Sequence, residues 1–575
     1  MRRVKKLLWI FAALCLVGLI SAGAGILVAR AGGSALPGRP LVLTWRVSGT
    51  VAEQTQPQLL PIPGYEPPPS IAGLYRALSA ARRDPGVKGI AVYIEDAAMG
   101  LAKAQELRRQ IELLRQAGKF ATCYLETAGE GSNGTLDYYL ATACEDLWLA
   151  PSGEVNLLGL YADSLFLRGT LDKLRIEPAF SHVGQYKSAS EVFTEYEHSP
   201  AAQEAIAAVL ESDFDEIVGA VAKARQLEPE AVERLVDGAP YEATRALELG
   251  LVDRLAYPDE FRDDLESRAG GEPRLLSLEE YRPRRFRRGR KLAVVFAEGT
   301  ILRGSGGVQP WTEETFLGAA DLGEVLRELG EDDGVAAVVL RVNSPGGSAL
   351  ASDLILREVE KLVESKPVVV SMSDYAASGG YYIAAKATKI VAEAGSLTGS
   401  IGVVGGKLVT RRFQEELLGI THDPLKRGRN ADLYSSLAGF TPEQAAVYDE
   451  QMRRVYDTFV RHVAAGRRMK PEAVAAVAEG RVWTGADAQR LGLVDEVGGL
   501  DRALELAREA AGLAAGANFQ VVYYPEAPGL LEVLLGRREP TLPSELRSWI
   551  GLLTPPRAPG ILELPRELRV LARPF

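Results

Sequence analysis

Residues 334–365 read GVAAVVLRVNSPGGSALASDLILREVEKLVES, and KPVVVSMSD follows at 366–374. Over 335–342 every residue but Arg341 is apolar and several are β-branched, the pattern of a strand buried on both faces. Over 348–365, Leu350, Leu354, Ile355, Val359, Leu362 and Val363 recur at helical spacing. KPVVVSMSD is then a second strand. GGYYIAAKA (379–387) opens another helix, and KIVAEAG (389–395) is a third strand. The order β-α-β-α-β predicts an α/β layer fold. Ligands in such folds gather beyond the carboxyl ends of the strands. Two glycine-bearing segments fall at such ends, NSPGG (343–347) and AASGG (376–380). They are expected to face each other across one crevice.

Much of this pattern occurs twice. GVKGIAVYIEDAAMG begins at Gly86, as GVAAVVLRVNSPGGS does at Gly334. LGLVD occupies 249–253 and again 491–495, preceded by DGAPYEATRALE and by EGRVWTGADAQR. LVLTWRVSGTV at Leu41 resembles KLAVVFAEGTI at Lys291. The chain is therefore expected to hold two tandem α/β copies, at 41–258 and 291–515. A polar, arginine-rich linker at 259–290 joins them, and a Pro/Leu-rich extension follows at 516–575. A length of 575 residues, 47% of them hydrophobic, is enough for several cores of ordinary size.

Composition narrows the function. A net charge of -10 gives no reason to expect nucleic acid as a partner. The three cysteines, Cys15, Cys123 and Cys144, form no C-x-x-C pair. Their odd total suits neither a disulfide framework nor a structural zinc site. The four histidines are scattered without metal-ligand spacing, so neither metal nor cofactor is expected. Gly406-Lys407 lacks both the first glycine and the Ser or Thr of a phosphate-binding loop, and 402–406 is not a dinucleotide fingerprint. At the N-terminus, MRRVKK precedes an uncharged run at 7–29. That run is long enough to span a bilayer and longer than the ~7–15 apolar residues of a cleaved signal. Residues 1–30 are read as a cytoplasmic basic segment and a retained transmembrane anchor, with the rest of the chain facing outward.

In AASGG the question is whether Ser378 is a nucleophile. A serine hydroxyl needs a group to take its proton. Histidine is the usual choice, but none lies near either loop in sequence. A lysine serves if burial makes it neutral. Catalysis also needs two backbone donors aimed at one point. Gly379 offers one at a helix start, and the Gly346-Gly347 pair offers another with no side chain in the way.

RVNSPGG, DYAASGGYYIA, AGSLTGSIGV and, in the first copy, GQYKSA together resemble signal peptide peptidase A in its long, duplicated, membrane-anchored form. The resemblance covers both copies and the anchor. It implies two tandem crotonase/Clp-protease-like domains and a serine endopeptidase with a Ser-Lys dyad. The nucleophile would be Ser378 and the general base Lys187. The oxyanion donors would come from Gly379 and the Gly346-Gly347 pair, and Ser400 would hold the lysine amine. It further implies cleavage of released signal peptides and other unfolded apolar peptides. It also implies a homo-oligomer, with a tetramer as the expected form, at the cytoplasmic (inner) membrane, with its catalytic body on the outer side.

The two copies are complementary in what they lack. Aligning the repeats sets Thr135 opposite Ser378, Leu136 opposite Gly379, EDAAM opposite NSPGG, and Arg429 opposite Lys187. Arginine stays protonated and cannot accept the serine proton. His182, five residues before Lys187, is an alternative base without a visible carboxylate partner. Tyr186 and Phe193 are aromatic neighbours of Lys187 in sequence, expected mainly to pack in the core. Two other functions fit parts of the pattern. A crotonase-type acyl-CoA enzyme would use the same backbone donors, but it belongs inside the cell with its cofactor. A non-catalytic membrane scaffold would have no reason to keep one serine loop and lose the other.

Overall fold

A computed structural model describes residues 39–55, 69–281, 289–308, 314–514 and 519–525. The anchor expected at 7–29, the arginines at 282–288 and most of the 516–575 extension lie outside them. Among the described residues no helix is long and apolar enough to cross a membrane.

The fold is α/β, built on two sheets. The first has six parallel strands in the order Arg254–Leu255, Asp146–Leu149, Phe120–Leu125, Val87–Ala98, Leu41–Thr50 and Arg274–Ser277. The second repeats that order in parallel, with Glu496–Val497, Lys389–Ala392, Val368–Ala377, Val335–Ser344, Arg290–Glu298 and Phe519–Tyr524. Leu397–Gly399, with antiparallel Val482–Thr484 beside it, pairs with the end of Val368–Ala377.

Two expected boundaries move. The helix Pro258–Ala269 buries Phe261, Leu265 and Ala269, and Arg274–Ser277 pairs with Leu41–Thr50. Most of the supposed linker at 259–290 thus completes the first unit. Its polar composition is that of a helix with a solvated face. Likewise Phe519–Tyr524, assigned to the C-terminal extension, closes the second sheet against Arg290–Glu298. The cysteine expectation is also corrected. Cys123 and Cys144 form a disulfide with the sulfurs 2.10 Å apart. The odd count arises from Cys15, which stands in the uncharged N-terminal run.

Packing explains most of the opening stretch. The strand Val335–Ser344 lies inside the second sheet, which is why its run is nearly continuous in apolar residues. Ser348 caps the helix Ala349–Ser365 by accepting from Ala351 N–H, and Ala351, Ile355, Leu356, Val359 and Leu362 face the sheet. Leu350 and Leu354, expected on that stripe, are exposed instead. The apolar arc is wider than the face the sheet covers.

Arg341, the one charged residue of the strand, is fully buried and joins the two copies. Its guanidinium donates to Glu53 at 2.9 Å and Glu106 at 2.7 Å, and to the hydroxyls of Ser371 and Ser373 at 2.9 and 3.1 Å. Lys103 lies 3.5 Å from Glu53 and 3.6 Å from Asp374. Glu53, Lys103 and Glu106 come from the first copy, Arg341 and Asp374 from the second. Removing one member of such a buried set costs about 3–5 kcal/mol, so the network holds the copies in one register. A second tie is the antiparallel pairing of Glu177–Val183 with Val403–Val409.

Candidate active site

Ser378 ends the strand Val368–Ala377 and precedes the helix Gly379–Ala384. Its backbone has φ 53° and ψ -116°, a region normally left to glycine. Such a residue costs roughly 1–3 kcal/mol and persists only where its surroundings hold it. Here Ser378 N–H donates to Gly399 O at 2.9 Å, and its own carbonyl accepts Tyr382 N–H at 2.9 Å. The sharp turn sets the half-buried side chain at the carboxyl end of the sheet.

The lysine comes from the other copy. The strand Glu177–Val183 runs along Val403–Val409, and the chain then turns through Gly184 to Lys187. Lys187 Nζ lies 3.1 Å from Ser378 Oγ, 3.0 Å from Ser400 O and 2.8 Å from Ser400 Oγ. Lys187 is buried, and desolvation lowers its pKa to about 8; among the described residues no carboxylate forms an ion pair with it. An ammonium would donate to all three oxygens. A neutral amine has two N–H groups and one lone pair. With both N–H groups on Ser400, the lone pair points at the Ser378 hydroxyl. The arrangement can therefore accept a proton from Ser378.

Three glycines shape the opposite side. Gly346 and Gly347 take φ 108° and 148°, and a Cβ on Gly346 would stand 2.9 Å from Ser378 Cβ. A Cβ on Gly379 would stand 3.2 Å from Gly347 N, so these two amides are neighbours. Neither Gly347 N–H nor Gly379 N–H finds an acceptor among the described residues. Gly346 differs from the expectation for it. Its N–H donates to Ser344 Oγ at 3.2 Å, and its carbonyl accepts Ile301 N–H at 2.8 Å. Its part is to leave room and to turn the loop. Two free donors beside a serine can hold a developing oxyanion.

The structure thus brings Ser378, Lys187, Ser400, Gly347 and Gly379 together. His182 points elsewhere, with Nδ1 3.0 Å from Gly184 O. Phe193 stacks on Phe180 at 5.5 Å, and Tyr186 lies under the Arg481 guanidinium. In the first copy Thr135 is buried with its hydroxyl accepting Gly159 N–H at 2.9 Å, and Arg429 is exposed. Sequence reasoning missed the segment at 479–481, which seats the lysine loop. Its one signal is that it opens the repeated EGRVW motif.

A family model described as peptidase family S49 matches residues 125–271 and 360–514. The chain is 33% identical over 483 residues to "Serine protease SPPA, chloroplastic" of Arabidopsis thaliana, covering 82% of this chain and 69% of that one. It is 30% identical over 527 residues to "Protease 4" of Haemophilus influenzae, covering 86% and 82%. To "Protease 4" of Salmonella typhi it is 32% identical over 486 residues, covering 81% and 75%.

Proposed function

The chain belongs to peptidase family S49 and is a serine protease; from that membership we propose that it cleaves unfolded apolar peptides, released signal peptides among them, with a Ser378–Lys187 dyad. The observation that carries the reading is the 3.1 Å contact between a desolvated lysine and the serine hydroxyl. As Ser378 Oγ attacks the scissile carbonyl carbon, neutral Lys187 takes the hydroxyl proton. The carbonyl oxygen becomes the oxyanion and accepts from Gly347 and Gly379 N–H. The ammonium then gives its proton to the departing amine, leaving an acyl-enzyme. Water enters and attacks the ester carbon as Lys187 takes its proton; the ester C–O bond breaks, Lys187 returns that proton to Ser378 Oγ, and the acid product leaves. Ser400 orients the amine throughout. Apolar substrates are supported by exposed Leu350 and Leu354 on the helix after the glycine pair, and by exposed Tyr375 three residues before the nucleophile.

The proposal extends to setting. Two tandem crotonase/Clp-protease-like units stand outside the inner membrane, held by the single apolar segment at 7–29. A disulfide at Cys123–Cys144 supports an oxidising compartment. A homo-oligomer, four copies in the proposed form, is supported by the repeat itself. Residues 160–166 correspond to Val403–Val409, and 419–425 to Glu177–Val183, yet neither forms a strand. They leave Leu160, Tyr161, Leu165, Ile420 and Leu425 exposed. Pairing them between successive copies would close a head-to-tail ring.

The test is labelling by a fluorophosphonate, read by intact mass and peptide mapping. Wild type should take one label, on Ser378, and Ser378→Ala should take none while keeping its melting temperature. Labelling that persists in Ser378→Ala would show the nucleophile to be another residue.

A further inference from the structure

The loop that carries Lys187 rests on three residues that have no part in the chemistry above: Glu479, Gly480 and Arg481. One edge of this strip bonds to the lysine loop. Tyr186 N–H donates to Glu479 O at 2.8 Å, and Gln185 N–H to Glu479 Oε2 at 3.2 Å. The other edge bonds to the turn that carries Ser400. Gly480 N–H donates to Ile401 O at 2.8 Å, and Ser400 N–H to Arg481 O at 2.7 Å. The strip is the layer between the base and the serine that orients it.

That layer is a bare backbone thick. A Cβ on Gly480 would stand 2.6 Å from Lys187 Cβ, 2.6 Å from Lys187 N and 2.7 Å from its Cα. The faces on either side are bare as well. A Cβ on Gly184 would meet the Glu479 carbonyl carbon at 2.4 Å, and one on Gly402 would meet Gly480 Cα at 2.7 Å. Glu479 and Gly480 both take left-handed φ, at 51° and 78°, and glycine suits such a bend. Arg481 fastens the strip from outside. Its guanidinium lies over the rings of Tyr186 at 4.8 Å and Trp483 at 4.5 Å, and it pairs with Glu204 of the first copy. Glu204 in turn accepts from Tyr186 OH at 3.2 Å. The charged groups around the loop are thus Glu479, Arg481 and Glu204, with His182 on the strand before it.

We infer that Gly480, fastened by Arg481, is a positioning residue that sets the distance from Lys187 to Ser400 and Ser378. The inference rests on the Ser378–Lys187 reading. A methyl group on Gly480 would force the lysine backbone about 1 Å outward to reach an ordinary carbon contact of roughly 3.5–4.0 Å. Displacements of that size cost on the order of 100-fold in rate.

The experiment compares the full chain with Gly480→Ala, Arg481→Met and Lys187→Ala. It uses a quenched fluorogenic peptide with a central leucine–alanine run, and reads kcat, KM and the pH dependence of kcat/KM, with melting followed by circular dichroism. Gly480→Ala is expected to fold, to lose about 100-fold in kcat, to keep KM within about threefold, and to titrate at a different pH from wild type. Arg481→Met adds no overlap. It should lower kcat by about tenfold with the titration displaced in the same direction. A folded Gly480→Ala with wild-type kcat and pH profile overturns the inference, as does a loss confined to KM. If Gly480→Ala fails to fold, wild-type kcat and profile in Arg481→Met overturn it. Activity retained in Lys187→Ala refutes the dyad instead, and the inference with it.

Discussion

Replacing Lys187 by methionine should abolish activity and stabilise the protein at neutral pH. The buried amine has its pKa lowered to about 8 by desolvation, whereas a lysine in the unfolded chain keeps about 10.4. Between those values the unfolded state binds more protons than the folded one, so stability rises with pH across that window and is flat below it. Keeping the proton at pH 7 therefore costs folding about 3 kcal/mol. Methionine has no proton to hold. It leaves Ser400 O and Oγ without their donor, a loss of about 1–2 kcal/mol that does not vary with pH. The net gain at pH 7 is then about 1–2 kcal/mol. It should shrink by about 1.4 kcal/mol at pH 9 and become a loss near pH 10. Urea unfolding of wild type and Lys187→Met, followed by tryptophan fluorescence at pH 7 and 9, measures the difference. A difference that stays constant or widens with pH would refute the claim that burial discharges this lysine.

With Lys187 as the proposed base, the same titration sets the pH dependence of catalysis. Activity should rise with pH and level off above about 8, with Lys187→Arg nearly as inactive as Lys187→Ala and His182→Ala mildly affected, all read as kcat/KM against pH. Arg341→Met leaves Glu106 buried without its cation and Glu53 with Lys103 alone, so unfolding in urea should show about 3–5 kcal/mol less stability; a loss under 1 kcal/mol would remove the network as the tie between copies. In membranes, the mature protein should keep its N-terminal peptide and need detergent for extraction, and a salt-soluble form starting at Ala31 or later would show a cleaved signal.

The repeat and the strand–helix alternation were legible because both depend on local pattern. Ser378 was legible as a serine among small residues at a strand end. Lys187 became legible through the family resemblance of GQYKSA, and comparison of the copies added support, since Arg429 stays protonated. What escaped depends on long-range contact. Arg341 showed only as a break in an apolar strand; its partners Glu53 and Glu106 lie on segments whose charges look like solvated faces. Gly346 and Gly347 were indistinguishable as donors until Ser344 took the first. The role of 479–481 needs Gly480 against Lys187, almost three hundred residues apart. The closing strands at 274–277 and 519–524 are short edges, and their composition does not separate them from a linker or a tail.

The separation of serine and lysine between the two copies has a consequence for synthesis. The ribosome releases the copy with Lys187 first, and in that copy Thr135 stands where the second has Ser378. Ser378 follows only after nearly two hundred further residues, and it meets Lys187, its proposed proton acceptor, only when the second unit docks on the first. On the proposed roles, an unfinished or undocked chain is inert. Zymogens achieve such a delay with a pro-segment that is later cut away. Here assembly itself would be the activating event, and no piece of the chain needs to be discarded.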